Sequence, residues 1–186
     1  MNKKSIRSVL LVEDNLGDAR LLVDLFKEQG AHDSQLTHVI SMSEAEKHLA
    51  DHEFDVVILD LGLSDARGLD AVRRAHIAAP RVPLVVLTGL DDESLAAQAL
   101  QEGAQDYLVK NQIETRGLLR ALRYSVERKI MDEALFVEKE RAQVTLNSIG
   151  DAVVCTDISG NITFLNLVAE KMTGWSRQEA AGQPMA

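Results

Sequence analysis

Cysteine is nearly absent: the chain has one, Cys155, in 186 residues. A single thiol excludes an internal disulfide framework and fits a reducing compartment, so a cytoplasmic setting is expected. Cys155 itself reads as a small buried apolar residue rather than a reactive thiol. No apolar run is long enough to cross a bilayer. The basic opening Met1-Asn2-Lys3-Lys4-Ser5-Ile6-Arg7 leads into no apolar signal core, so no membrane partner is expected. Clustered positive charge is missing too. Twenty Lys and Arg against 29 Asp and Glu leave a net charge of -9, which argues against nucleic acid as a partner. The five histidines make no strong metal pattern. His48 and His52, one helical turn apart, read as a solvated helix face rather than a ligand pair. What the chain does have is 46% hydrophobic residues, enough for a substantial core.

Those apolar residues come in short runs that end in charge or hydroxyl. Val56-Val57-Ile58-Leu59 closes on Asp60, and its β-branched residues predict a strand buried on both faces. Val9-Leu10-Leu11-Val12 leads into Glu13-Asp14. Leu84-Val85-Val86-Leu87 leads into Thr88-Gly89, and Tyr107-Leu108-Val109 into Lys110. A fifth strand is expected at Leu36 to Ile40. Helical stretches separate the strands. The first follows the candidate cap Asn15, carries Leu21, Leu22, Leu25 and Phe26 on its apolar stripe, and ends at Gly30. Ser43-Glu44-Ala45-Glu46 has capping-box spacing and opens a second, to about Ala50. A third runs from Gly68 to Ala79, before Pro80 and Pro83. A fourth starts at Asp91-Asp92-Glu93-Ser94, where acids suit a helix N-terminus, and ends near Gly103. Five βα repeats predict an α/β fold with a parallel sheet. The strands then share one carboxyl edge, where open α/β sheets place ligands. Glu13, Asp14, Asp60, Thr88 and Lys110 all fall on it.

Residues from about Ser5 to Arg128 resemble the receiver domain of two-component response regulators. The motifs that carry the resemblance are Leu11-Val12-Glu13-Asp14-Asn15, Ile58-Leu59-Asp60-Leu61, Leu87-Thr88-Gly89 and Tyr107-Leu108-Val109-Lys110. The resemblance implies a flavodoxin-like sheet in the order 2-1-3-4-5. It implies that Asp60 accepts a phosphoryl group from a histidine kinase or a phosphotransfer protein. Mg2+ is the implied cofactor, held by Glu13, Asp14, Asp60 and the backbone carbonyl of Gly62. Hard oxygens of this kind suit that cation, and without it neighbouring carboxylates should raise at least one pKa. Lys110 and the Thr88 hydroxyl would contact phosphoryl oxygens, because phosphoryl transfer depends on positioning and charge neutralisation. Thr88 and Tyr107 would form the switch. The sequence departs from the family at Asn111, where receivers commonly carry proline, so the cis peptide usual there is not expected.

From Thr115 to about Ser148 the pattern stays helical. Leu119, Leu122, Val126, Ile130, Ala134, Val137 and Val144 follow steps of three and four. A helix this long predicts a coiled coil joining two copies of the chain. The alternative is a single helix folded back on its own domain. For the dimer, Arg116, Leu119, Arg120, Leu122, Arg123, Val126 and Ile130 are the expected interface. Its arginines would face Asp91, Asp92, Glu93 and Glu102 of the other copy, setting register more than affinity. Past Ser148 a hairpin is expected, with Ala152 to Asp157 pairing back on Ile162 to Asn166 and a short helix following to Gly174. Asn147-Ser148-Ile149-Gly150-Asp151-Ala152-Val153, Asp157-Ile158-Ser159-Gly160-Asn161-Ile162 and Ala169-Glu170-Lys171-Met172-Thr173-Gly174-Trp175 resemble the opening of a PAS sensory domain. The expected organisation is a receiver at 1–128, a helical linker at 129–148 and a truncated PAS domain at 149–186, together a piece of a longer chain.

By resemblance, chains of this layout lead to an output that makes or breaks cyclic dinucleotides, such as a diguanylate cyclase or phosphodiesterase. A hybrid histidine kinase is the runner-up. Three other classes compete with phosphorelay signalling. An aspartate-dependent phosphatase would carry an acid where Gly62 stands. A flavin carrier would need a phosphate-cradling loop where Glu13-Asp14 would repel phosphate. A receiver kept only for dimerisation would not need its acidic set and Lys110 intact.

Overall fold

In this computed structural model the chain is described over residues 6–28, 34–89, 93–113 and 115–185, without the side chains at 28, 93, 111, 115 and 116. It divides into two compact units, Met1–Met131 and Asp132–Ala186. The first alternates β1 (Ser8–Val12), α1 (Leu16–Glu28), β2 (Gln35–Val39), α2 (Met42–Asp51), β3 (Val56–Asp60), α3 (Leu69–Ala78), β4 (Leu84–Thr88), α4 (Glu93–Gln101) and β5 (Asp106–Val109). A single 3-10 turn, Lys110–Gln112, leads to α5 (Thr115–Ser148), within which the division between the units falls. The five strands are parallel in the order β2-β1-β3-β4-β5, the flavodoxin-like order that the resemblance implies.

Side chains alternate across the sheet with the period of two that strands impose. Leu10, Val12, Val57, Leu59, Leu84 and Val86 face one way and pack with Met42, Ala45, Ala71, Val72, Ala75 and Ala99 of α2, α3 and α4. Val9, Leu11, Val56, Ile58, Val85 and Leu87 face the other way, against Ala19, Leu22 and Phe26 of α1 and Leu118, Leu122 and Val126 of α5. Both faces are covered, so β3 and β4 are buried at every position and can carry polar groups only at their ends.

Several local expectations need correction. In α1 the buried stripe is Ala19, Leu22 and Phe26, spaced i, i+3 and i+7, whereas Leu21 points off that face and is exposed. The predicted stop at Gly30 lies outside the described residues. The cap of α2 is Ser41, not Ser43: its hydroxyl accepts from Glu44 N at 3.2 Å. Helix entry at Met42 places that fully buried side chain in the core, and frees Ser43 to donate to Asp65 at 2.8 Å. Asp65 also accepts from the amides of Met42 and Ser43, at 2.9 Å each, so the loop after β3 is fastened to the start of α2. Gly68 caps α3 with φ of 57°, a left-handed conformation that favours glycine. No cis peptide occurs among the described residues.

The second unit holds an antiparallel pair, β6 (Val154–Thr156) and β7 (Ile162–Leu165), then α6 (Leu167–Thr173) and α7 (Arg177–Ala180). Asn166 is fully buried and uses its whole amide. Its Oδ1 accepts from Val153 N and Ala169 N at 2.9 Å each, and its Nδ2 donates to Leu146 O at 3.0 Å and Asp151 O at 2.9 Å. It thereby caps α6 and ties it to the last turns of α5. Cys155, expected to be buried, is exposed, because the two-stranded sheet buries only one face around Leu165, Ala169 and Ala180. Among the described residues no helix is long and apolar enough to cross a membrane.

Leu122 is fully buried beneath the sheet and Leu135, on the same helix, is 70% exposed. Leu122→Ala should therefore destabilise the first unit by about 2–5 kcal/mol in urea unfolding. Leu135→Ala should change it by less than about 0.5 kcal/mol.

Candidate functional site

Parallel register puts the ends of β1, β3, β4 and β5 side by side. Val12 pairs with Leu59, Asp60 with Leu87, and Thr88 with Val109. The residues at and just past these ends therefore meet at one edge. Carboxylate oxygens of Glu13, Asp14 and Asp60 lie within 4.8 Å of one another. Lys110 Nζ reaches in from the end of β5, 2.7 Å from Glu13 Oε2 and 3.0 Å from Asp60 Oδ1.

Glu13 is fully buried and Asp60 is 6% exposed, so this charge is largely out of water. Glu13 Oε1 accepts from Asn15 N at 3.1 Å, and the Glu13 carbonyl oxygen is 2.8 Å from His38 Nε2. Glu13 Oε2 has only its ionic contact with Lys110 and no aligned hydrogen bond. Burial pushes the Glu13 carboxyl above the usual range; Lys110 opposes the rise and the neighbouring charge of Asp60 adds to it. For Lys110, burial favours the neutral amine, but contacts with Glu13, Asp18 and Asp60 outweigh it and raise its pKa further. All the donors gathered by the three acids are hard oxygens, and one is short of a hydrogen bond. This set fits a hard divalent cation.

Thr88 is buried at the end of β4, and its hydroxyl donates to Gly89 O at 3.1 Å. Tyr107 is half-buried against the core, and a cleft of about 440 Å3 lies beside it and Thr88, bounded by Asp106, Leu108 and Gln112. A Cβ on Gly62 would stand 3.1 Å from Asp60 Oδ2, so glycine leaves the carboxylate its room. The helical set divides. Leu122 and Val126 belong to the core beneath the sheet, so neither is free to face a second copy as expected, and Leu119 is half-buried against that core. Arg120, Arg123 and Ile130 are exposed. Glu102 is held by Arg73 of its own chain, at 2.6 and 3.0 Å, rather than being free for another copy. Asp91 and Asp92 lie outside the described residues, as do the side chains of Glu93 and Arg116.

Two site residues were not singled out from the sequence. Ser64 N donates to Asp14 Oδ2 at 3.0 Å, holding the loop after β3 against the acidic pair. Asp18 Oδ2 is 3.0 Å from Lys110 Nζ. Asp18 stands four residues after Asp14 in the first turn of α1, a place where an acid is ordinarily read as a dipole partner.

Compared with known families, residues 9–123 match the response regulator receiver domain and residues 140–186 match the PAS fold. The chain belongs to the response regulator receiver family. This receiver is 37% identical over 108 residues to the methanogenesis regulatory protein FilR1 of Methanothrix harundinacea, a match covering 55% of the chain and 23% of that protein. The chain is also 59% identical over 59 residues to the Escherichia coli K12 protein named "Probable diguanylate cyclase DgcE", over 32% of this chain and 5% of that one. It thus spans only a minor part of either relative's length. A solved relative is the receiver domain of sensor histidine kinase PA1611 from Pseudomonas aeruginosa PAO1, described with a magnesium ion coordinated in its active-site cleft. It is 25% identical, with a TM-score of 0.57, over 66% of this chain and 99% of that one.

The raised pKa of Glu13 means that the folded receiver holds this proton more tightly than the unfolded chain does. Its contribution to stability is therefore lost as pH climbs from about 4.5 through the folded-state value. Glu13→Gln removes that loss. In urea unfolding between pH 4.5 and 8, the stability of E13Q relative to the parent should grow with pH.

Proposed function

We propose that this chain is a phosphorelay switch in which Asp60 is the phosphoacceptor. The observation that carries the reading is the contact of a half-buried lysine with Asp60 and Glu13, beside Asp14, at the carboxyl edge of the sheet. A carboxylate oxygen of Asp60 attacks the phosphorus of a phosphohistidine on a partner kinase or phosphotransfer protein. The O–P bond forms as the N–P bond breaks, and the imidazole nitrogen keeps the electron pair and takes a proton from water. Lys110 supplies positive charge to the phosphoryl oxygens, and the Thr88 hydroxyl turns from Gly89 O to donate to another. Tyr107, beside the cleft at Thr88, changes its packing with that turn. Glu13, Asp14, Asp60 and the Gly62 carbonyl are the residues that would hold Mg2+. When bound, the ion neutralises the pooled carboxylate charge so that an anionic donor can approach.

The signal leaves through α5. Its near half is taken up by the sheet, but Ile130, Val137 and Val144 are 42%, 60% and 64% exposed and recur at intervals of seven. β-branched residues at that spacing suit the a positions of a two-stranded parallel coiled coil, and we propose a homodimer through them. The receiver at 1–128, linker at 129–148 and PAS portion at 149–186 would pass the change to an output domain. Cyclic-di-GMP turnover is the favoured output, supported by the name of the E. coli relative. A hybrid histidine kinase is the second reading, favoured by the PA1611 receiver.

With acetyl phosphate and Mg2+, intact-mass analysis should show one added phosphoryl group, absent in Asp60→Asn and abolished by EDTA. Labelling that survives Asp60→Asn rejects the assignment. Sedimentation should give a dimer, converted to monomer by the pair Val137→Asp and Val144→Asp; a monomer at every concentration for the parent removes the coiled coil.

A further inference from the structure

Lys110 has three carboxylate neighbours: Glu13 Oε2 at 2.7 Å, Asp18 Oδ2 at 3.0 Å and Asp60 Oδ1 at 3.0 Å. Its ammonium has three N–H groups and no fourth. A phosphoryl oxygen arriving on Asp60 competes with these carboxylates for the charge and the N–H groups of Nζ.

The three partners differ in what release would cost. The Glu13 side chain is fully buried, so a carboxylate abandoned there would have no water to take the place of the ammonium. Asp60 is the acceptor itself, and its side chain is 8% exposed. The Asp18 side chain is 42% exposed and can be solvated as soon as the lysine leaves. Its anion also stays favourable without Lys110, because it sits in the first turn of α1, at the positive end of the helix dipole. Its backbone does not have to move: Asn15 Oδ1 accepts from Gly17 N at 2.8 Å and from Asp18 N at 3.3 Å, which pins that turn.

We infer that Asp18 is the exchangeable partner of Lys110, a positioning residue that holds the ammonium in the resting site and yields it to the incoming phosphoryl group. Its carboxylate thereby sets how strongly the site takes up such groups. The inference rests on the reading of Asp60 as phosphoacceptor. Asp18 opposes uptake in two ways. It engages a donor that the phosphoryl oxygen needs, and it adds a negative charge at the more exposed side of the site. Lys110 Nζ donates a hydrogen bond to Asp18, whereas its contacts with Glu13 and Asp60 are ionic, so a phosphoryl oxygen that needs a directed N–H competes first with Asp18.

The test uses the full chain with Mg2+ and compares the parent with Asp18→Asn, Asp18→Glu and Asp60→Asn. Beryllofluoride, a phosphoryl mimic, is titrated by calorimetry, which reads binding without chemistry. Acetyl phosphate is then used at varied concentration. There an Asp60 oxygen bonds to phosphorus as the bond from phosphorus to the acetyl oxygen breaks, and acetate leaves. Asp18→Asn should lower the half-saturating beryllofluoride concentration about fivefold, the scale of one partly exposed ion pair. It should lower that for acetyl phosphate similarly, with no fall in the maximal rate and with a weaker dependence on salt. Asp18→Glu, which restores the charge, should return all three readouts toward the parent. Unchanged or weaker uptake in Asp18→Asn, or Asp18→Glu matching Asp18→Asn, overturns the inference while leaving Asp60 in place. Uptake of the acetyl-phosphate phosphoryl group by Asp60→Asn overturns the underlying reading instead.

Discussion

A half-buried ammonium among carboxylates is the constraint on which this receiver turns. The sheet interior has no position for charge: β3 is buried from Val56 to Asp60, and only its last residue is polar at the working edge. Burial makes ionised Glu13 unfavourable, and Lys110 is the group that offsets it. Neither residue is near the other in sequence. The parallel register, which sets Thr88 beside Val109 and Val12 beside Leu59, makes their meeting a consequence of the fold. The same edge is therefore held by attraction within it and strained by like charge, a balance that a cation or a phosphoryl group can shift.

The loop after β3 is the second element that this balance touches. Ser64 N is bonded to Asp14, and Asp65 caps α2 through Met42 and Ser43. Arg74 of α3 joins the arrangement by donating to Glu46 of α2 and to the Asp65 carbonyl. A change in charge at Asp14 thus has a hydrogen-bonded route through this loop into α2 and α3.

The long helix shows how one element serves two purposes by position. Leu118, Leu122 and Val126 complete the core beneath the sheet, so their burial belongs to the receiver itself. Farther along, Met131, Leu135, Phe136 and Val137 are all exposed. Apolar side chains left in water along several turns of a helix are unfavourable unless something covers them. The second unit has its own organising residue in Asn166, whose saturated amide joins α6 to the last turns of α5. Burial without a single unmet hydrogen bond explains why one asparagine can sit at the centre of so small a core.

Much of this was legible in the sequence, for a physical reason. Apolar runs with charged ends report which strands are buried and which edge is polar, because burial forbids charge within the run and tolerates it at the end. The five strands, their order and the acids Glu13, Asp14 and Asp60 all follow from that pattern and the family motifs. Patterns along a helix were less decisive. Leu21 and Leu22 are adjacent and equally apolar, and only packing against the sheet buries one and exposes the other. Ser41 and Ser43 both offer cap chemistry, and the choice fell to whichever placed Met42 inside. Leu122 and Val126 read as an interface until the underside of the sheet claimed them. The sequence alone determined which residues must avoid water and which must reach it. Only the tertiary structure decided who meets whom, including Asp18 and Lys110 across 92 positions, because contacts between distant residues depend on register and packing that no local pattern encodes.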